Sequence, residues 1–113
     1  MLARLLIAAT VLVYLSALKA APATPPDYAT VDAVFTKHCL DCHAAQDPEA
    51  KLVLESFESV MQGGESGAVI VPGKSAGSLL VKMIEGQGEK DGKKKIMPPG
   101  KRKKLEPEEI ATV

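Results

Sequence analysis

Both cysteines of this 113-residue chain lie within one pentapeptide, Cys39-Leu40-Asp41-Cys42-His43. Cys-x-x-Cys-His is the attachment pattern of c-type haem. Residues three apart share one side of a helical turn, so both thiols can form thioethers with the vinyl groups of one haem. The imidazole of His43 is then placed to act as the proximal iron ligand. The pattern predicts covalently bound haem c, with its iron, on Cys39, Cys42 and His43.

Three other interpretations of the cysteine pair stay open. A thioredoxin-like redox pair belongs in a βαβ context, and no strand–helix–strand alternation is visible in this sequence. A closed zinc site needs four ligands, and the chain has no second cysteine pair. The third interpretation is a simple structural disulfide. The order and spacing of the only two cysteines and one of the two histidines favour haem over all three.

A haem iron bound by one histidine needs a second axial ligand or an open site, and methionine is a common ligand. Met61 and Met83 lie on predicted apolar helix faces, where methionine usually fills the core. Met97 precedes two prolines, which stiffen the backbone and lower the entropy cost of holding a weak Fe–S bond. Met97 is therefore the predicted distal ligand, with an open site or another ligand as the alternatives. His38 is tethered on the proximal side and is expected to be a partly exposed polar residue.

The N-terminal residues have the pattern of a secretory signal peptide. Arg4 supplies positive charge, residues 5–18 are almost continuously apolar, and small residues follow at Ala20, Ala21 and Ala23. The apolar run is shorter than the roughly 20 residues that a membrane-spanning helix needs. We therefore predict cleavage after Ala20 or Ala23 and export to the periplasm or an equivalent extracytoplasmic compartment. Contact with a membrane would follow only if the segment stayed uncleaved.

The domain organisation follows from this leader. Residues 1–23 are assigned to the signal peptide, 24–27 to a proline-rich linker, and 28–113 to one haem domain. The whole chain has 14 basic and 14 acidic residues. Removing residues 1–20 leaves twelve basic residues against fourteen acidic ones, a net charge of −2, and nothing suggests nucleic acid as a partner. About ninety residues make a small domain with a thin core, which a large apolar cofactor would enlarge.

Local signals predict several short helices along the chain. The predicted helix starts are Asp27, Ser56, Ser75 or Ser78, and Pro107. Glycines at 63–64 and 86 are expected to end the second and third helices. Residues 44–55 are interpreted as a loop, and the glycine- and lysine-rich residues 86–95 as a flexible one.

The haem pentapeptide and several downstream blocks together resemble class I cytochromes c, and more closely the cytochrome c domain of Planctomycetes proteins. The blocks outside the pentapeptide are residues 54–57, 63–67, 69–74, 78–80, 97–99, 105 and 108–110. The resemblance spans about residues 28–113. It implies an all-α fold, a small cytochrome c-like helical domain around covalently bound haem, and an electron-transfer role outside the cytoplasm. No nucleophile–base pair stands out, so we do not expect an enzyme.

Two departures from the family pattern accompany the resemblance. Relatives continue past the acidic helix start into a full helix, so the C-terminal helix of this chain is expected to be truncated. Many relatives have proline where this chain has Ala68, and a carbonyl in this region can orient the proximal imidazole. Ala68 and Pro72 are the two candidates for that carbonyl. The alternative functions are an accessory domain of a larger enzyme, and a haem enzyme or gas sensor with an open distal site.

Basic residues flank Met97 on both sides, at Lys90, Lys93–Lys95 and Lys101–Lys104. A solvated loop is the ordinary interpretation of such a cluster. The more specific hypothesis is docking, because lysines around the distal haem edge would steer an acidic redox partner toward it. We expect the contacts of such a partner near Lys93–Lys95 and Lys101–Lys104.

Overall fold

The computed structural model describes residues 24–113, so the predicted signal peptide of residues 1–23 lies outside the described residues. The five α-helices of this part are α1 (Tyr28–His38), α2 (Leu40–His43), α3 (Phe57–Gln62), α4 (Leu79–Ile84) and α5 (Pro107–Thr112). Short 3-10 turns occupy Glu49–Lys51 and Ser75–Gly77. Strands β1 (Gly88–Lys90) and β2 (Lys93–Lys95) pair as an antiparallel hairpin between α4 and α5. No helix within residues 24–113 has the length and hydropathy needed to cross a bilayer.

The hairpin corrects the predictions of an all-α fold and of a flexible loop over residues 86–95. Its two strands are joined by Asp91 and Gly92, whose φ angles are 54° and 70°. Positive φ at both central residues is what a two-residue type I′ turn requires, and Asp-Gly is a favoured sequence for it. The fold is therefore mostly helical with one small sheet.

The helix starts follow the predicted local signals. The carboxylate of Asp27 accepts a hydrogen bond from the N–H of Thr30 at 2.9 Å and caps α1. Ser56 and Ser59 exchange reciprocal hydrogen bonds at the start of α3. Pro107 is the first residue of α5. Before α4, the buried hydroxyl of Ser78 does not cap the helix but accepts a hydrogen bond from the N–H of Val71 at 2.9 Å.

The core lies between α1, α3 and α4. Phe35, only 2 % exposed, is its largest fully buried side chain. The other buried members of this cluster are Val34, Leu54, Val60, Val69, Leu80, Ile84 and Leu105. Val31 and Ile110 pack against the cluster from α1 and α5. This core holds α1, and so the segment that follows it, in a fixed position against the rest of the domain.

The turn after α3 depends on glycine. Gly63 ends the helix with φ 75°, and a Cβ on it would lie 2.1 Å from the carbonyl oxygen of Gly67. Any side chain at position 63 would therefore collide with the backbone. Gly64 and Gly67 pair across the turn, which fixes the position of Glu65 and Ser66 between them.

Candidate functional site

The two cysteines and His43 lie on a helical turn that directly follows α1. The N–H of Cys39 donates to the carbonyl of Phe35 at 2.8 Å, which joins this turn to the buried helix. The N–H groups of Cys42 and His43 both donate to the carbonyl of Cys39, at 3.2 and 3.0 Å. The cysteines are thus one turn apart, as their spacing predicts. Both thiols are free and half-buried.

The environment of Cys39 suppresses its ionisation. Burial, and to a smaller degree the neighbouring Cys42, raises the pKa of the Cys39 thiol to about 11. Redox-active Cys-x-x-Cys pairs have a lowered thiol pKa instead, because the thiolate is the nucleophile. The site therefore disfavours the thioredoxin-like interpretation. Within residues 24–113, no group of three or more His, Cys, Asp or Glu side chains is arranged to hold a metal ion.

A backbone carbonyl orients the imidazole of His43. Its Nδ1 lies 3.0 Å from the carbonyl oxygen of Leu52. A carbonyl can only accept, so Nδ1 carries the proton and the lone pair of Nε2 is available to a metal, an arrangement common among ligating histidines. Ala68 and Pro72, the two candidates considered from the sequence, are both exposed, and Leu52 is the acceptor instead. The N–H of Leu54 donates to the carbonyl of His43 at 2.8 Å, and this bond holds the segment of Leu52 and Leu54 against the cysteine turn.

The segment around Met97 is anchored through its own backbone. The N–H of Met97 donates to the carbonyl of Met83 at 2.9 Å, which attaches the segment to the end of α4. The ammonium of Lys104 donates to the carbonyl of Pro98 and, at 2.9 Å, to that of Gly100. These three bonds hold the Met-Pro-Pro-Gly turn against the domain.

The structure separates the three methionine candidates. Met61 lines a groove between α1 and α3, with Tyr28 and Phe57, and neither cysteine belongs to that groove. The sulfur of Met83 packs beneath Gly88, where an added Cβ would lie 2.3 Å from it. Met97 alone of the three lines both of the cavities that His43 lines.

Two adjoining cavities lie between the cysteine turn and the Met97 segment. The first has a volume of about 330 Å³ and the second about 130 Å³. Four residues line both: Cys39, His43, Ile84 and Met97. The first is completed by His38, Cys42, Glu49, Pro98, Pro99 and Arg102. Leu52, Leu54, Val69, Leu79, Leu80 and Met83 supply most of the second.

This lining fits a c-type haem. Two free thiols, an imidazole with an available Nε2 and a thioether line the same pair of adjoining cavities. They are the groups that covalent attachment and His/Met axial ligation of the iron require. The remaining lining is mainly aliphatic, as a flat apolar macrocycle needs.

Two ion pairs cross the rim of the site. Nη1 of Arg102 lies 2.9 Å from a carboxylate oxygen of Asp41, within the haem pentapeptide, and this hydrogen bond raises the pKa of Arg102. Nζ of Lys90 lies 3.2 Å from a carboxylate oxygen of Glu65. Sequence reasoning missed both pairs, because the partners are 61 and 25 residues apart and no motif joins them.

A third group of charged residues ties α5 to the end of α1. The carboxylate of Glu109 accepts hydrogen bonds from Nζ of Lys37 and from the N–H of Glu106, and it lies 2.9 Å from Nε2 of His38. These bonds, that of Lys37 first, lower the pKa of Glu109 to about 2. The His38 side chain is only 5 % exposed, so it is more buried than its sequence position suggests, and it lines the first cavity.

One of the comparisons with known proteins finds a match, and it covers the residues of this site. A family model described as Planctomycete cytochrome C matches residues 39–101, from the first cysteine of the motif to just beyond Met97. No curated protein and no solved structure matches the chain. The family match covers more than half of the chain, and a cytochrome c domain implies covalently bound haem used for electron transfer. The chain therefore belongs to the Planctomycete cytochrome C family, as its resemblance to that domain predicts.

Proposed function

We propose that this protein is a one-electron carrier or relay with haem attached to Cys39 and Cys42 and with His43 and Met97 as axial ligands. The observation that carries the proposal is that these four residues, 58 positions apart at the extremes, line one pair of adjoining cavities. When bound, the haem supplies one-electron exchange between ferrous and ferric iron.

The residues of the site have separate roles in this proposal. The Leu52 carbonyl holds the His43 ring in one orientation and keeps its Nε2 lone pair free. With haem bound, the thioether of Met97 would favour the ferrous state and so raise the reduction potential. The aliphatic lining and the buried Pro98 keep water from the metal. A site built in this way carries electrons without chemistry on a substrate, so we assign no enzyme activity to the chain.

The proposed partner is an acidic redox protein that docks on the lysines near Met97. The structure reduces the number of lysines available to it. Lys90, Arg102 and Lys103 each face a carboxylate within 4 Å, and Lys104 folds back onto the Pro98 turn. The exposed cations of the cluster that have no such partner among residues 24–113 are Lys93, Lys94, Lys95 and Lys101. The three lysines of β2 therefore support the hairpin as the main docking element in this proposal. The proposed location, outside the cytoplasm, rests on the pattern of the leader.

The axial ligand is tested by comparing two methionine substitutions. Met97→Ala should abolish the far-red sulfur-to-iron charge-transfer band of the ferric protein and open the ferrous iron to carbon monoxide. Met83→Ala is the control: it removes a methionine that packs beneath Gly88, and the ferric variant should retain the charge-transfer band. Both variants are produced in a host that assembles cytochromes c, and their absorption spectra are recorded in both oxidation states.

The contrary results are also distinct. A band that survives in Met97→Ala would remove Met97 as the ligand. A band lost in Met83→Ala alone would transfer the role to Met83. Ready binding of carbon monoxide by the unaltered ferrous protein would favour a haem enzyme or gas sensor with an open distal site.

A further inference from the structure

The second cavity has one polar corner in an otherwise aliphatic lining. Glu65, Ser66 and Lys90 form this corner, and they come from the turn after α3 and from β1. Lys90 and Glu65 form an ion pair of 3.2 Å, and their side chains are 54 % and 45 % exposed. An ammonium group has three donors, and Glu65 uses one of those of Lys90. None of the hydrogen bonds among residues 24–113 uses the N–H or hydroxyl of Ser66.

This polar corner and Cys42 lie at opposite ends of the site. Cys42 lines the first cavity and not the second, whereas Lys90 lines the second and not the first. Cys39, His43 and Met97 line both and so occupy the middle. A haem held between His43 and Met97 would therefore extend toward Cys42 on one side and toward Lys90 on the other.

The substituents of haem are distributed in a matching way. The two vinyl groups occupy one half of the porphyrin and the two propionates occupy the other. If Cys39 and Cys42 hold the vinyl half, the carboxylates face away from Cys42. We propose that Lys90, assisted by the N–H of Ser66, binds a haem propionate at the polar corner of the second cavity. This inference rests on the haem attachment proposed above, and it names Lys90 as the residue that binds the propionate edge of the haem.

The hairpin explains how Lys90 reaches this position. Gly88 is buried against Met83 of α4. Lys90 lies two residues further along the same strand and so on the same face. Lys94 pairs with Glu89 across the hairpin and so belongs to the other face. Lys94 therefore offers a matched control, since its loss changes the net charge equally and leaves the polar corner intact.

A cation at a propionate has two measurable effects. It favours the ionised carboxylate, which lowers the pKa of the propionate. It also adds positive charge near the iron, which favours the ferrous state. Glu65 has the opposite effect at the same corner, because its carboxylate competes for Lys90 and repels the propionate. Loss of Lys90 should therefore raise the pKa of the propionate and lower the reduction potential. Loss of Glu65 should lower that pKa and raise the potential.

The test measures the midpoint potential of the holoprotein against pH by spectroelectrochemical titration. Lys90→Gln should lower the equilibrium constant for reduction at neutral pH by about threefold to tenfold, which is about 30–60 mV for a one-electron couple. It should also move the propionate inflection to higher pH. Glu65→Gln should raise the potential and move the inflection to lower pH. Lys94→Gln should change the constant by less than about twofold and leave the inflection in place.

The outcomes separate this inference from the proposed function. Equal shifts in Lys90→Gln and Lys94→Gln, or an inflection that Lys90→Gln leaves in place, would overturn the role of Lys90 while the haem spectrum of the unaltered protein still supported haem attachment. If Lys90→Gln does not mature, the direction of the Glu65→Gln shift decides. A colourless unaltered protein would overturn the proposed function and this inference together.

Discussion

At the scale of single residues, the site depends on two backbone hydrogen bonds. The carbonyl of Leu52 fixes the ring of His43, and the carbonyl of Met83 holds the N–H of Met97. Neither acceptor is a side chain, so neither leaves a signal in the residue types. The cysteines and His43, in contrast, can be proposed from the sequence, because the chemistry of haem attachment would fix their types and spacing. Met97 was predictable as a ligand candidate because two prolines stiffen the backbone after it.

The two phenylalanines allow a matched test of how the core supports the site. Phe35 is 2 % exposed on α1, just before the cysteine turn. Phe57 is 53 % exposed, and its ring packs edge-on against that of Tyr28, with 5.4 Å between the ring centroids. Phe35→Ala should lower the free energy of unfolding by about 3–5 kcal/mol because it leaves a cavity in the core. Phe57→Ala should cost about 1 kcal/mol through the lost aromatic pair.

Denaturation of the two haem-bearing variants by urea measures this difference. Equal costs for the two substitutions would contradict the burial of Phe35 at the centre of the core.

At the scale of elements, the helices were easier to predict than the hairpin. Asp27, Ser56 and Pro107 are local signals of helix starts, and each precedes or begins a helix. The turn of the hairpin, Asp91-Gly92, is also a local signal. Its strands, however, contain lysine and glutamate in place of alternating apolar residues, so the periodicity gave no sign of a sheet.

The contact between α1 and α5 should depend on pH through Glu109. Its pKa is about 2 in the folded protein, below the ordinary value of 4.5, because the folded state favours the ionised carboxylate. This stabilisation is complete above about pH 4.5 and is lost as the pH falls from there through about 2. Glu109→Gln should therefore lower stability at neutral pH and flatten its decline below pH 4.5.

Thermal or urea unfolding of the holoprotein at a series of acidic pH values measures this effect. Glu108→Gln is the control, because it makes the same change of charge on the exposed side of α5. The stability of Glu108→Gln should fall with decreasing pH as steeply as that of the unaltered protein. If Glu109→Gln declined as steeply as the control, the contact with Lys37 and His38 would not exist in solution.

At the scale of the whole molecule, the near balance of charge conceals an uneven distribution. The chain has 14 basic and 14 acidic residues, yet the segment from Lys90 to Lys104 contains eight of the basic ones. Lys93, Lys94 and Lys95 are consecutive and exposed on β2, close in sequence to Met97. An uneven distribution of this kind orients an approaching partner even when the net charge is small.

Electron transfer to an acidic partner should therefore depend on β2 and on salt. Neutralising Lys93, Lys94 and Lys95 with glutamine should slow association by about tenfold at low ionic strength, and the difference should diminish as salt is added. Neutralising Lys51, Lys74 and Lys82, which are exposed elsewhere, is the control with the same change of charge. Stopped-flow kinetics gives both rates, and equal slowing by the two triple variants would argue against docking on the hairpin.

The central claim, covalent haem on Cys39 and Cys42, is tested most directly by the mass and the pyridine haemochrome spectrum of the mature protein. The protein is purified from a host that assembles cytochromes c, and a variant with both cysteines changed to alanine is purified in parallel. We predict a mass above that of the polypeptide by one haem, with a c-type haemochrome, and loss of both in the variant. A protein with the mass of its amino acids alone and no haemochrome would contradict the account.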